Sequence, residues 1–142
     1  MSGPLTGFRV LDLTTMVSGP VATMMLGDQG ADVIKIEPID GEYMRKAGVK
    51  HHGMPNGFLS CNRSKRSLSI NLKSDEGVHA VKKLLASTDV FVQNFRPGAI
   101  ERMGLGEAVA REIRPDLIFV SISGFGEKGP YSHQRVYDPI IQ

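Results

Sequence analysis

The sequence predicts an α/β fold, an open and mostly parallel Rossmann-like sheet with helices on both faces. Residues 8–38 show the pattern strand, turn, helix, turn, strand, and their length of about 30 residues suits one βαβ crossover. Residues 90–92 form a short, wholly apolar run, as is typical of a strand inside a parallel sheet. Helical patterns separate the later strands from one another. We therefore predict one domain of at least four strands that alternate with helices.

The opening unit contains two strands and one helix. Residues 9–13 form a β-prone run, and residues 32–37 alternate apolar and polar side chains. Helix-starting residue types precede the helix, and a glycine is placed to end it: Ser18, Gly19, Pro20 and Gly30. Apolar residues at helical spacing predict its buried stripe: Val21, Met24 and Met25.

Residues 14–20 fall where open parallel sheets bind ligands, beyond the carboxyl end of a strand and at the start of a helix. Pro20 removes one N–H donor, and the spacing G-x-G-x-x-G of dinucleotide sites is missing. Two interpretations stay open, a phosphate cradle or a helix start that only packs on the sheet.

Residues 39–58 have no usable periodicity and are predicted to be a long connecting loop that lines a pocket. The loop carries His51 and His52, which as neighbours point in different directions in regular structure. The sequence has no second Cys or His cluster with ligand spacing, so we predict no metal site.

Three cations fall within four positions at Arg63, Lys65 and Arg66, and residues 68–72 alternate like a half-buried strand. The cations fit either a solvated turn or an anion-binding rim at a strand end. Ser74 is predicted to cap the next helix, whose charges follow the helix dipole. Its acids, Asp75 and Glu76, stand in the first turn, and its lysines, Lys82 and Lys83, stand toward the end. Its predicted apolar stripe is Val78, Val81, Leu84 and Leu85.

The loop after the apolar strand carries the residue types of a binding site. Asn94 can donate and accept hydrogen bonds, Phe95 can stack on a flat base, and Arg96 and Arg102 can hold phosphate oxygens. A purely structural role, with Phe95 in the core and the arginines on the surface, is the alternative. A helix at residues 107–113 and a strand at 117–123 follow, and the glycine-rich turn at 124–130 suits a lid.

The composition of the chain argues against nucleic-acid and membrane partners. The 142 residues carry a formal charge of +2, too small to indicate a nucleic-acid partner. The sequence contains no long apolar run and no signal peptide, and its one cysteine, Cys61, suits a reducing compartment, so we expect a cytoplasmic protein without a membrane partner. Because residues 138–142 end on an apolar run, we expect the chain to be the front part of a longer protein.

Six sequence blocks, in order along the chain, resemble the class III CoA-transferases. They are LDLT with GP at residues 11–14 and 19–20, GADVIKIEP at 30–38, NRSKRSL at 62–68, NFRPG with RMGL at 94–98 and 102–105, SGFG at 123–126, and YDPIIQ at 137–142. The family includes carnitine and formyl-CoA transferases, bile-acid-inducible transferases and α-methylacyl-CoA racemases.

The resemblance implies coenzyme A, as acyl-CoA substrate, for the loops at the strand ends. Together with the loop described above, it makes ten residues candidates for CoA binding: Ile70, Leu72, Lys73, Asn94, Phe95, Arg96, Arg102, Met103, Arg135 and Tyr137. It implies a small carboxylic acid as the other substrate and no metal.

The resemblance also implies a mechanism and an assembly. An aspartate attacks the acyl-CoA thioester, and an aspartyl-CoA thioester forms on the way. That aspartate is expected beyond Gln142, so no residue of this chain is assigned as catalytic, and Asp138 is not taken for the nucleophile. Residues 1–142 are then the N-terminal part of a CoA-binding domain in an interlocked homodimer. On their own they are expected to be inactive, with an exposed sheet edge.

Three alternatives remain. A racemase of this family places a histidine where Tyr137 stands, and a tyrosine with a pKa near roughly 10 is a poor general base. A nicotinamide-dependent reductase would use Glu37, at the end of the second strand, to bind ribose. The third alternative is a non-catalytic fragment or interaction module.

Overall fold

The computed structural model describes residues 2–142. The strands are β1 Arg9–Leu13, β2 Asp32–Glu37, β3 Lys50–His51, β4 Met54–Pro55, β5 Lys65–Ser69, β6 Val90–Gln93 and β7 Ile118–Ser121. The helices are α1 Ser18–Asp28, α2 Asn56–Asn62, α3 Asp75–Leu85, α4 Ala99–Arg102, α5 Glu107–Ile113 and α6 Asp138–Ile141, with a 3₁₀ helix at Tyr43–Arg45.

Five strands form one parallel sheet in the order β5-β2-β1-β6-β7. The central strand β1 pairs on both sides, with Leu11 opposite Ile34 of β2 and Phe91 of β6. The chain first builds outward from β1 to β5 and then returns to the other side of β1. The strand order therefore reverses between β1 and β6, and a crevice for a ligand is expected at the carboxyl ends of these strands.

Apolar side chains cover both faces of the sheet, because successive residues of a strand point to opposite sides. Leu11 and Phe91 belong to a cluster that includes residues of α3, α4 and α5, whereas Val10 and Val92 belong to a second cluster that Leu26 of α1 joins. Helices on both faces of a parallel sheet confirm the predicted α/β class.

Helix α1 buries only one of the three residues predicted for its apolar stripe. Met24 is buried, but Met25 is 55% exposed and Val21 is only half-buried. The buried side is made mainly of small residues: Gly19, Pro20, Thr23, Met24 and Gly27. The prediction is right for Met24 and wrong for Val21 and Met25, because close packing on the sheet selects small side chains here, and an apolar period does not report that. The N-cap residue is Val17, without a side-chain cap.

Strand β5 begins earlier than the alternation of residues 68–72 predicts. Its partner in β2 fixes the register, with Ser67 opposite Lys35, and Leu68 is 41% exposed. Ile70 lies after the strand, where its N–H donates to the carbonyl of Glu37 over 2.8 Å. The alternating residues therefore span the end of β5 and the start of a loop, in which the side chain of Ile70 is buried in the core.

The predicted loop at residues 39–58 is partly regular. It contains the 3₁₀ helix and the hairpin of β3 and β4, and α2 begins at Asn56. Helix α3 follows the prediction, since Ser74 caps it by accepting from the Gly77 N–H, and Val81 and Leu85 are buried. Helix α5 has the predicted bounds. No helix within residues 2–142 is long and apolar enough to cross a membrane.

Candidate functional site

A cleft of about 670 Å³ opens at the carboxyl ends of β1 and β2. One wall is the segment between β5 and α3, and the opposite wall is the loop after β6 with α4. Eighteen residues line the cleft: Leu13, Thr15, Ile36, Glu37, Pro38, Ile39, Asp40, Ile70, Asn71, Leu72, Lys73, Ser74, Asp75, Val78, Phe95, Ala99, Arg102 and Met103.

The structure brings six of the ten predicted CoA-binding residues together in this cleft: Ile70, Leu72, Lys73, Phe95, Arg102 and Met103. The other four do not line it: Asn94, Arg96, Arg135 and Tyr137. Arg96, Arg135 and Tyr137 are exposed to solvent. Asn94 instead uses its side chain inside the protein, as described below.

The cleft combines apolar walls with free cations. Phe95 and Met103 are half-buried and pack against the larger apolar cluster. Each residue therefore has a structural role, and each also lines the cleft. Lys73 and Arg102 are exposed and form no ion pair among residues 2–142. A flat apolar surface beside unpaired cations suits an aromatic ligand that carries phosphates.

The cleft wall at residues 70–74 packs tightly against α3 at Gly77. A Cβ atom on Gly77 would lie 2.0 Å from the carbonyl oxygen of Asn71, which is closer than any real contact. Only glycine therefore lets the backbone of this wall approach α3.

Side chains from several elements hold the turn after β1, which comprises residues 14–17. Asp12 accepts hydrogen bonds from the backbone N–H and the hydroxyl of Thr14, and Lys35 donates to the carbonyl of Thr14 over 2.8 Å. Asn94 donates to the carbonyl of Thr15 and accepts from its N–H, each over 2.9 Å. Because both polar atoms of the Asn94 side chain are used in this way, its side chain positions the turn.

The same turn contains a strained residue. Met16 has φ +67°, in the left-handed region that costs a non-glycine residue on the order of 1 kcal/mol. Its N–H donates to Glu42 Oε2 over 3.1 Å, and burial raises the pKa of the Glu42 carboxyl. Residues held in this region often cluster at functional sites.

The predicted cation cluster divides between solvent and the interior: Arg63, in a turn, and Arg66, in β5, are exposed, whereas the side chain of Lys65 is buried. Each of the three cations is paired with an acid, so none of them is a free anion-binding group among the described residues. Lys65 is buried and donates to Asp12 over 2.9 Å, while Arg66 pairs with Asp32. Arg63 pairs with Asp28. Burial lowers the pKa of Lys65 in spite of the neighbouring carboxylate. These pairs connect β5 to the rest of the sheet and to α1.

The carboxylate of Glu37 is fully engaged by its neighbours. Arg45 donates to both of its oxygens, over 2.5 and 2.6 Å, and Ser67 donates over 2.6 Å. Burial opposes the charge of this carboxylate, but these hydrogen bonds outweigh burial and lower the pKa of Glu37 to about 2. The carboxylate that the reductase interpretation requires is therefore already occupied.

A second chain of hydrogen bonds connects the cleft to the glycine-rich turn. Gln93 accepts from the N–H of Phe95 over 2.8 Å and donates to Ser121 over 2.7 Å, and Ser121 donates in turn to Glu127. Phe95 is thus fixed from the strand end, and Glu127 fastens residues 124–130 to β7. Near the hairpin, the rings of His51 and His52 touch edge to face, and no group of three potential metal ligands exists within residues 2–142.

Sequence reasoning missed several of these residues. Glu42 and Arg45 fall in the segment predicted to be a loop, and Lys35 and Asp12 fall in strands to whose charged residues no role was assigned. One signal was present, because charged residues in strands of a buried parallel sheet require partners. The identity of those partners is set by strand order, which the sequence pattern does not give.

The chain matches known proteins throughout its length. The family model described as CoA-transferase family III matches residues 5–142. Succinyl-CoA:glutarate CoA-transferase of Mus musculus is 48% identical over 139 residues, covering 96% of this chain and 32% of that protein. Formyl-CoA:oxalate CoA-transferase of Escherichia coli O6:H1 is 43% identical over 147 residues, covering 100% of this chain and 35% of that protein.

A solved structure of a CAIB/BAIF family protein from Brucella suis superimposes with a TM-score of 0.94 at 37% identity, covering 100% of this chain and 39% of that one. The chain therefore spans about a third of the length of the curated relatives it matches. The family match, the order of the six sequence blocks and the shared sheet lead to one conclusion: the chain belongs to CoA-transferase family III.

Proposed function

We propose that this chain provides the CoA-binding part of an enzyme that moves coenzyme A between an acyl-CoA and a carboxylic acid. The observation that carries the proposal is the cleft in which Phe95, Arg102 and Lys73 come together at the strand ends. Coenzyme A has a flat adenine and several phosphates, which match an aromatic face and unpaired cations.

We place the adenine against Phe95 and Met103, and the phosphates near Arg102 and Lys73. Ile70 and Leu72 supply the apolar wall on the other side of the cleft. Arg96, Arg135 and Tyr137 lie outside the cleft and are exposed, so we assign them to parts of the ligand that extend out of it. Asn94 does not contact the ligand in this proposal; its side chain positions the turn after β1, which contains Thr15 of the cleft.

The chemistry that we propose proceeds through an aspartate outside residues 1–142. Its carboxylate attacks the thioester carbonyl of the donor, and the CoA thiolate leaves as the C–S bond breaks, which forms a mixed anhydride of the aspartate and the donor acid. The thiolate then attacks the aspartyl carbonyl, which releases the donor acid and forms aspartyl-CoA. The acceptor carboxylate attacks this thioester, and the thiolate returns to the acyl carbon of the new anhydride, which restores the aspartate.

For the substrates we propose short dicarboxylic acids and their CoA thioesters. The relatives are named for transfer between succinyl-CoA and glutarate and between formyl-CoA and oxalate, and glutarate and oxalate are both short dicarboxylic acids. A second relative pair, the succinyl-CoA–L-malate CoA-transferase subunits of Chloroflexus aurantiacus, also acts on a short dicarboxylic acid. We further propose a homodimer as the active assembly and the cytoplasm as its location.

The test is a transfer assay on the purified full-length protein, which includes the proposed aspartate. Succinyl-CoA is incubated with glutarate, malate or oxalate, and the new CoA thioester is measured by mass spectrometry. We expect transfer to at least one acceptor, accompanied by release of free succinate in equal amount. Hydrolysis of succinyl-CoA without a new thioester, or oxidation of NADH in the presence of these acids, would contradict the proposal.

A further inference from the structure

Glu42 is a buried acid, and burial by itself disfavours the charged form of its carboxyl group. It lies in the segment after β2 and is 2% exposed. Its Oε2 atom accepts from the Met16 N–H over 3.1 Å, and its backbone N–H donates to Glu37 over 3.2 Å. Its other oxygen, Oε1, has no hydrogen-bond partner within the described part of the chain. The carboxylate of Glu42 thus accepts one hydrogen bond within the described residues, and the donor belongs to the turn after β1.

The turn sits at the point where the strand order reverses, between β1 and β6. Asp12 and Lys35 hold Thr14, and Asn94 holds Thr15, whereas the contact from a side chain to the Met16 N–H comes from Glu42. Met16 has the left-handed φ of +67° that a non-glycine residue keeps only when its surroundings hold it. Thr15, its neighbour, lines the cleft.

We propose that Glu42 is a positioning residue, which fixes the Met16 amide and thereby keeps Thr15 on the wall of the cleft during acyl transfer. This inference rests on the proposed function. Glu42 acts from outside the cleft, since it does not line it. Because the side chain of Glu42 hydrogen-bonds with the turn and with no residue of the wall at 70–74 or of α4, we expect it to affect the alignment of bound acyl-CoA more than the affinity for CoA.

The contact requires an accepting oxygen and not a negative charge. Charged groups surround Glu42 on several sides, with Lys35 and Asp12 from neighbouring strands and Glu37 and Arg45 nearby in the chain. Glutamine keeps the size of the side chain and the accepting oxygen while removing the charge. Leucine keeps the volume and removes the acceptor. These two substitutions separate the hydrogen bond from packing and from charge.

The first measurement is amide hydrogen exchange of residues 14–18 in the purified protein. In Glu42→Leu we expect exchange at Met16 to become about tenfold faster or more, since an amide N–H that loses its acceptor is protected less. Glu42→Gln and the exposed control Glu112→Leu are expected to keep the wild-type rate. Unchanged exchange in Glu42→Leu would overturn the inference. Equal acceleration in β6 would overturn it too, since Glu42 would then support the whole fold.

The second measurement separates turnover from binding. Glu42→Leu is expected to lower kcat on the order of 10- to 100-fold, because small misplacements of a bound substrate have effects of this size. The Kd for CoA is expected to stay within about twofold, and Glu42→Gln is expected to restore kcat. If Glu42→Leu exchanges the Met16 amide faster but keeps the wild-type kcat, the inference that this contact supports acyl transfer is overturned. If the wild type shows no transfer, the proposed function fails, and the exchange rates still decide whether Glu42 fixes the turn.

Discussion

The side chain of Asn94 forms two hydrogen bonds with the backbone of Thr15, each 2.9 Å long. These bonds join the loop after β6 to the turn after β1, across the point where the strand order reverses. The loop after β6 and the turn after β1 are therefore held together, although 79 positions separate the two residues in the chain. A ligand at this edge of the sheet meets a fixed surface.

Asn94→Ala is predicted to destabilise the protein by about 2–3 kcal/mol, because two half-buried backbone groups of Thr15 lose their partners. Urea unfolding followed by circular dichroism measures the change. Asn94→Asp keeps the oxygen that accepts from the Thr15 N–H and loses the donor, so it is expected to fall between wild type and Ala. Equal stability of all three proteins would show that the two bonds do not hold the turn.

Gly77→Ala is predicted to move residues 70–74 and to weaken CoA binding about tenfold or more. The new methyl group would lie 2.0 Å from the carbonyl oxygen of Asn71, so the backbone of the cleft wall must shift. Gly57→Ala is the matched control, because that helical glycine faces only the mobile end of Met44, at 2.9 Å. Calorimetric titration with CoA compares the two. A Gly77→Ala protein that binds CoA like wild type would refute the role of this wall.

Glu37 is predicted to stabilise the protein above about pH 4.5 and to lose this effect as the pH falls. Its pKa is lowered from 4.5 to about 2 in the folded state, so the folded state binds fewer protons than the unfolded state in this range. The contribution at neutral pH is on the order of 3 kcal/mol, since each pKa unit corresponds to about 1.4 kcal/mol.

The free energy of unfolding in urea at pH 7 and pH 3 tests this prediction. Glu37→Gln should lose stability at pH 7 and show a smaller loss between pH 7 and pH 3 than wild type. Glu107→Gln removes an exposed acid paired with Arg111, and its free energy of unfolding should equal that of wild type at pH 7 and at pH 3. A Glu37→Gln protein with the same pH dependence as wild type would contradict the assignment.

Local patterns predict much of the fold because several segments carry strong local signals. Ser74, the acids after it and the lysines at its end mark α3, and Pro115 closely follows the end of α5. The apolar run at residues 90–92 marks β6 because this strand lies between β1 and β7, and Phe91 and Val92 are buried in the clusters on the two faces of the sheet. Each of these elements is specified by residues adjacent in sequence.

The remaining features depend on contacts that sequence patterns do not contain. The edge strand β5 is positioned by pairing with β2 and by ion pairs such as Lys65–Asp12, between residues 53 positions apart. For this reason the alternation at Leu68 and Ile70 predicts the wrong strand bounds. Helix α2 starts with Asn56 and Gly57, which favour turns. The position of the cleft walls can be predicted from sequence, because the walls follow the ends of strands. The hydrogen bond from Met16 to Glu42 can be found only in the tertiary structure.

The central claim is that the cleft between the segment 70–74 and α4 binds coenzyme A, and calorimetric titration of the purified protein with CoA tests it most directly. Wild type is expected to bind one CoA per chain. Arg102→Ala is expected to bind it about 10- to 100-fold more weakly, the usual effect of losing a hydrogen bond to a charged group. Lys83→Ala, which removes an exposed cation outside the cleft, is expected to leave the affinity unchanged. Absence of CoA binding by the wild type, or equal affinity of wild type and Arg102→Ala, would contradict the account.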